Sequence, residues 1–256
     1  LGSKVDQVFS ELSALGVNIK GTEFGKFINN NTLKNGDFQS EINWSTLNKR
    51  PNSGDINIAG KFYDYDHLDL SFIESSFVLQ DSVWSFNDSN KVKIVSNSFE
   101  FNKLSLSNGN QLLDLNGKIS DAEDTLQIHL EKLDLSYIST LLPEGVLKLS
   151  GEANGTASLR NFYNDLSLTS DLRMNDLEVN DTRIGEAKLF STWNPKEKAL
   201  IVDANLGGKT EKVLALTGVV YPLNDLNSLD LQLQFKETPI DLLKPYLTDI
   251  LSDLEG

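Results

Sequence analysis

The 256-residue chain has no cysteine, one methionine, six prolines and two histidines. Without thiols it can carry no disulfide framework, no cysteine nucleophile and no cysteine-ligated zinc or iron–sulfur centre. Small secreted eukaryotic domains lean on such bridges, so their absence favours a bacterial origin or a cytosolic compartment. Positive charge is also scarce: 23 Lys and Arg face 37 Asp and Glu, a formal charge of −14 with a pI near 4.5. So acidic a surface attracts neither nucleic acid nor an anionic membrane. No run of 18 apolar residues exists to cross a bilayer as a helix. With no initiator methionine or signal peptide, and a stop at the end of a repeat copy, the sequence reads as a piece of a longer or processed protein.

Catalytic signatures are missing too. There is no GxSxG, P-loop, GxGxxG after a strand, or HExxH, and the carboxylates are scattered with no glycosidase-like pair. His129, between Ile128 and Leu130, alternates onto a polar strand face. His67 follows Tyr63-Asp64-Tyr65-Asp66 in a hairpin-like loop. Asp64, Asp66 and Asp69 are oxygen donors of the kind calcium takes, but their spacing matches neither an EF-hand nor a glycine–aspartate repeat, so the loop reads as a solvated acidic turn. Trp44, Trp84 and Trp193 sit in alternating strands, where aromatics pack inward. Asn-x-Ser/Thr triplets at Asn30, Asn43, Asn87, Asn154 and Asn180 are expected by chance in a chain this rich in Asn and Ser. No catalytic residue, metal site or cofactor is expected.

What the chain does have is a repeated phrase. The stretch from Leu112 runs LLDLNGKIS, DTLQIHLEKLDLSYISTLLP, VLKLSG; the stretch from Leu214 runs LALTGVVYP, then NSLDLQLQFKETPIDLLKPYLTDILSDLEG. In both, an alternating strand ends near a glycine (Gly117, Gly218). A second alternating strand follows, then an apolar stretch with a proline (Pro143, Pro245), then Leu-x-Gly. A fainter copy, DINIAGKFYDYDHLDLSF, places Gly60 in the same role. The glycines stand 57 and 101 residues apart, so the array has no fixed period of the ankyrin or leucine-rich kind.

From Asp55 onward hydrophobicity has period two. Leu166, Leu168, Leu172 and Met174 alternate with polar residues, as do Ala187, Leu189 and Trp193; then Leu200, Val202, Ala204 and Leu206; then Leu229, Leu231, Leu233 and Phe235. Such segments are half-buried antiparallel strands, wet on one face, separated by turn signals at Asn108-Gly109, Ser120-Asp121, Asn194-Pro195 and Gly207-Gly208. The expected fold is mainly β: a long antiparallel sheet with one apolar face, or alternatively a β-sandwich.

Three helices are expected to interrupt it. Val5, Val8, Phe9, Leu12 and Leu15 fall at helical spacing before Gly16. Short helices are also expected over 138–142 and 239–254, the latter broken near Lys244 by Pro245. The loop signals Asn29-Asn30-Asn31, Lys34-Asn35-Gly36-Asp37 and Arg50–Gly54 place a soft boundary between a helix-and-loop opening segment, 1–50, and a repetitive β region, 51–256.

The order of motifs over residues 151–206 resembles the TamB group of AsmA-like proteins: Gly151-x-x-x-Gly155-x-x-x-Leu159, the strand ending Leu166-x-Leu168, Leu177-x-Val179-Asn180 leading to Ile184-Gly185, then Trp193, a turn, and the strand 200–206. The following unit is similar to that family's recurring one: Gly218-Val-Val-Tyr-Pro222, Leu229-x-Leu231-x-Leu233, Leu242-Leu243-Lys244-Pro245-Tyr246-Leu247, Leu254-x-Gly256. The likeness covers roughly 54–256 and is best after Leu112; its Asn/Asp/Leu-rich, cysteine-free style is that of the large versions in Bacteroidetes-type bacteria. The resemblance implies a periplasmic body of an envelope protein held in the inner membrane by an N-terminal helix outside this sequence. It implies a sheet folded lengthwise into a taco-like trough with an apolar interior. It also implies roles in phospholipid movement to the outer membrane and, alternatively, in outer-membrane protein assembly or secretion with a BamA- or TamA-type barrel partner.

The physics runs the same way. A sheet with one continuous leucine face must cover it with a second sheet, with itself or with lipid tails, because leaving it wet at about 25 cal/mol per Å² outweighs a domain's net stability of ~5–15 kcal/mol. A buried acyl chain gains about 0.8 kcal/mol per CH₂. The expected groove residues are Leu126, Ile128, Leu130, Leu166, Leu168, Leu172, Leu200, Val202, Ala204, Leu206, Leu229, Leu231, Leu233 and Phe235. The competing expectation is that they pack only on one another in a closed sandwich. A third reading, an adhesin or carbohydrate-binding sandwich, would use the tryptophans.

Overall fold

The computed structural model describes residues 7–19, 22–46, 52–79, 81–122, 124–137, 148–164, 166–179, 181–206, 214–221 and 229–235. These hold seventeen strands, β1 to β17, and every pairing found among them is antiparallel. The chain divides into two compact units, with the division between Ile128 and His129, inside β11(Thr125–Asp134).

The first unit begins as a plain meander: β1(Gln7–Ile19), β2(Thr22–Lys34), β3(Asp37–Ser45) and β4(Ser53–Phe62), each paired with the next. The β2–β3 connection is the two-residue Asn35-Gly36 turn, with φ of 52° and 86°, the positive pair that a type I′ hairpin demands. Then the meander splits. β4 pairs with β5(His67–Phe72) near one end and with β6(Ser76–Leu79) near the other. β9(Ser98–Asn108) likewise pairs with both β8(Lys91–Val95) and β7(Ser82–Phe86). β5 joins β8 and β6 joins β7, so two short strand pairs lie end to end between two long strands. β10(Gln111–Ile119) closes the ladder against β9.

Where the short pairs meet, main-chain groups lose their ladder partners, and small polar side chains replace them. Asn90 Oδ1 accepts from Phe72 N–H at 2.7 Å, while its Nδ2 donates to Phe72 O at 2.8 Å and to Asn87 O. Ser75 Oγ accepts from Asn57 N–H at 2.8 Å; Asn87 Oδ1 accepts from Ser105 N–H at 3.1 Å. Asn90 and Ser75 are buried, as a group must be only when its hydrogen bonds are met. Phe72 and Phe86 stack beside the seam, centroids 4.2 Å apart.

Register gives this unit two contrasting faces. One rung reads Val8, Leu33, Phe38, Gly60, Leu70, Val92, Phe101 and Gly117 across eight strands. One residue along, on the opposite face, the rung reads Lys34, Asp37, Lys61, Asp69, Lys93, Glu100 and Lys118, alternating in sign across seven strands. Opposite charges facing across a strand pair contribute roughly 0.2–1 kcal/mol each. A one-residue slip of any strand would put charge on the apolar face, so the two rungs fix the register together.

The second unit is simpler. β12(Leu149–Arg160), β13(Ser167–Val179), β14(Thr182–Asn194), β15(Ala199–Leu206), β16(Leu214–Val220) and β17(Leu229–Phe235) pair strictly in order. Its buried core sits at one end, where Leu135, Ala153, Leu177 and Ala187 meet with Leu133, Leu149, Met174, Val179, Ile184 and Leu206 packed round them. A bulge at Asp176, φ 49°, keeps Leu177 on this side. Gly155 (φ 136°) lies so close to β13 that a Cβ there would sit 2.1 Å from Asp171 O.

One helix expectation is overturned. Residues 7–19 form β1, not an amphipathic helix. A lone helix of about 12 residues is marginal in water, and Ser10, Ser13 and Gly16 weaken it further. The strand alternative hydrogen-bonds to β2 from Gln7 to Ile19. The stretch 22–45, expected to be rich in loops, forms β2 and β3. A helical turn starts at residues 136–137; the helices expected over 138–142 and 239–254 lie outside the described residues, as does the Gly207-Gly208 turn. No helix among the described residues is long and apolar enough to cross a membrane.

Candidate functional site

The strongest candidate is the face of the second unit that carries most of the expected groove residues. Antiparallel partners share a face, and the register of β12 to β17 lines up four rows. The first holds Ala153, Met174, Ala187, Leu206, Leu214 and Phe235. The second holds Gly155, Leu172, Leu189, Ala204, Leu216 and Leu233; the third Ala157, Ser170, Ser191, Val202, Gly218 and Leu231. The fourth runs Trp193, Leu200, Val220, Leu229, with Leu159 paired to Leu168. Six strands at about 4.8 Å spacing make a wall about 24 Å wide.

Ala153, Ala187 and Ala204 are buried on this wall, whereas Leu168, Leu172, Met174, Leu189, Trp193, Leu200, Val202, Leu206 and Leu216 are only half-buried. The neighbouring positions on the other face, Asp171, Arg173, Lys188, Thr192 and Asp203, are exposed. The third row is shallow because its residues are small. Its two hydroxyls satisfy each other, Ser170 Oγ to Ser191 Oγ at 2.6 Å, and leave the surface without an open polar demand. No ionisable side chain stands in any row.

Leu126 is buried, with Ile128 and Leu130 half-buried at alternate positions of β11. Leu166 is half-buried just ahead of β13. Leu229, Leu231, Leu233 and Phe235 are placed by backbone register alone. The sequence reading missed the contributions of β12 and Ser170 and Ser191, because Ala, Gly and Ser carry no hydrophobic period. Leu189 and Ala187 were legible as an alternating set, yet only pairing shows that they stand between Leu172 and Ala204.

The polar candidate lies in the first unit. Asp69 Oδ2 pairs with Lys91 Nζ at 2.7 Å, and Asp69 Oδ1 lies 3.4 Å from His67 Nε2, both of the latter atoms shielded from solvent. The Tyr63 ring covers His67, centroids 4.5 Å apart. Burial works against the Asp69 carboxylate, but the hydrogen bond and charge of Lys91, then those of His67, hold its pKa below the ordinary aspartate value. Lys91 is raised in turn by its hydrogen bond to Asp69. Ser96 Oγ donates to Asp66 Oδ2 at 2.6 Å and its N–H to Asp66 O at 2.9 Å, which ties the 63–66 loop to the β8–β9 turn. Ion pairs and hydrogen bonds of this kind hold turns; among the described residues no three His, Asp or Glu converge as metal ligands. His129 Nε2 lies 3.1 Å from Glu131 Oε1 on an exposed strand face.

Of the tryptophans, Trp84 is buried, and Trp44 is half-buried with its ring over Gly54 and its Nε1–H donating to Asn52 Oδ1 at 2.9 Å. A hollow beside it is lined by Ser53, Gly54, Asp55, Ser76, Phe77 and Val78. No protein-family profile, curated protein or solved structure matches this chain.

Proposed function

We propose that the chain is a non-enzymatic segment of a TamB-like envelope protein, and that the β12–β17 wall takes phospholipid acyl chains between the inner and outer membranes. In this reading the sheet folds lengthwise into a trough whose polar outer face meets the periplasm. The observation that carries it is the register: four apolar rows of six strands share one face, no charge interrupts them, and most of their large side chains are half-buried. An acyl chain asks for apolar area and nothing else, gaining about 0.8 kcal/mol per methylene buried. The resemblance over 151–256 supports the same reading from a separate direction.

The test is mass spectrometry of organic extracts from the purified chain and from a Leu189→Asp/Leu216→Asp double variant whose fold is checked by circular dichroism. Phospholipid is expected with the wild-type chain, and less than a tenth as much with the folded variant. A wild-type chain free of lipid, or equal loading of both, rejects the proposal.

A further inference from the structure

The β12–β17 wall has two unlike ends. Just beyond its first row the pairing slips in register beside Gly151 of β12 (φ 112°), Asp176 of β13 (φ 49°) and Gly185 of β14 (φ 93°). Bulges bend the strands that carry them, so these three strands turn along one line. β12 and β13 meet so closely there that a Cβ on Gly151 would stand 2.6 Å from Asn175 O. Leu135, 1% exposed, packs into the bend with Leu177, Ala153 and Ala187, and its N–H donates to Gly151 O at 2.9 Å. This end is apolar and closed. At the other end the fourth-row residues Leu159, Leu168, Trp193 and Leu200 are all half-buried, and the strands run into the turns that follow Arg160 and Asn194. Arg160, Lys196, Glu197 and Lys198 are exposed there, and Phe162 and Tyr163 meet edge to face, centroids 5.5 Å apart. This end is polar and open.

Resting on the lipid reading of this wall, we infer the orientation of its occupant. A phospholipid lies along the strands, its acyl ends against the Leu135 cluster and its head group at the turns after Arg160 and Asn194. Along the strands the wall offers an amphiphile one apolar end and one polar end; across them, each row repeats the same chemistry. The stretch of β12 from Ala153 to Leu159 covers about 20 Å at the antiparallel rise. That accommodates an acyl chain filling one leaflet, about half of a ~30 Å hydrocarbon core. A zwitterionic head group carries both signs, as Arg160 and the Lys196-Glu197-Lys198 turn do. Tyr and Trp rings settle at head-group level in bilayers, the level that Tyr163 and Trp193 hold here. At the bend, by contrast, Lys148 and Arg183 are already held by Asp181 and Asp176, so a phosphate there would have to displace a carboxylate.

Fluorescence quenching tests it, with single cysteines placed in a chain that has none of its own. A bimane label is attached at Lys196→Cys, by the open end, or at Ile184→Cys, by the bend. Each protein is loaded with phosphatidylcholine carrying a nitroxide either on its head group or at the end of one acyl chain. The ratio of head-group to chain-end quenching is expected to exceed one for Lys196→Cys and to fall below one for Ile184→Cys. Equal ratios, as for a chain lying across the strands in the shallow third row, overturn the inference, and so does the reverse order. If neither lipid quenches either label, the lipid reading of the wall is rejected and the orientation with it. Should Ile184→Cys fail to fold, Arg183→Cys, exposed beside it, takes its place.

Discussion

The two units of this chain solve one problem, how to hold many antiparallel strands in register, with opposite chemistry. The first uses polarity: an alternating charge rung across seven strands, with buried Asn90 and Ser75 and half-buried Asn87 where the strands break. The second uses apolar size in six strands paired strictly in order, with no ionisable residue in the four rows of its wall. Polar devices are directional and fail abruptly, because a buried group left without its partner costs about 1–3 kcal/mol. Apolar rows are graded, each lost methylene costing about 0.8 kcal/mol. Polar specification thus suits a region with a broken topology; a graded apolar face suits a region that must tolerate a changing occupant.

The comparison can be broken at its strictest points first. Gly155→Ala in the second unit is expected to cost the most, upwards of about 4 kcal/mol, since its Cβ would meet Asp171 O and its φ is positive; urea unfolding measures it. Gly185→Ala, at φ 93° with nothing within 4 Å, is the control and should cost only the strain, about 1–2 kcal/mol. In the first unit, Asn90→Leu orphans Phe72 N–H and O and should cost about 3 kcal/mol. If it proves neutral, the polar seam is not what holds the split strands.

A smaller effect separates the units by pH. The Asp69 carboxyl titrates below its ordinary value of 3.8, so its stabilising contribution is complete above that value and drains away as pH falls through the depressed folded pKa. Asp69→Asn should therefore lower stability at pH 7 by about 1 kcal/mol and cost progressively less as pH falls below 3.8; an equal loss at every pH would mean that packing, not charge, is at stake. The smallest expected change is on the second unit's polar side: Arg183→Ala breaks an exposed pair with Asp176, 3.3 Å long, and should stay within about 0.5 kcal/mol in thermal unfolding.

Period two was legible from Asp55 onward, as were the Asn35-Gly36 and Asn108-Gly109 turns, since these depend on local sequence alone. The β1 strand was not, because Val8, Phe9, Leu12 and Leu15 satisfy a helical stripe and also divide between two strand faces; only pairing with β2 decides. Nor could the alternating charge rung be read, for its members are drawn from residues 34 to 118 and become neighbours only once register is set. The leucine sets of the wall were visible one strand at a time. That they form rows, with Ser191 and Gly155 among them, is a property of six strands together.

Gly60 and Gly117, separated by 57 residues, occupy one and the same rung. Inheritance in such a sheet therefore tracks rung position instead of distance along the chain. A duplicated hairpin can gain or lose loop residues freely provided its glycine lands on the same rung, so the length of the sheet is a quantity that evolution can change one hairpin at a time.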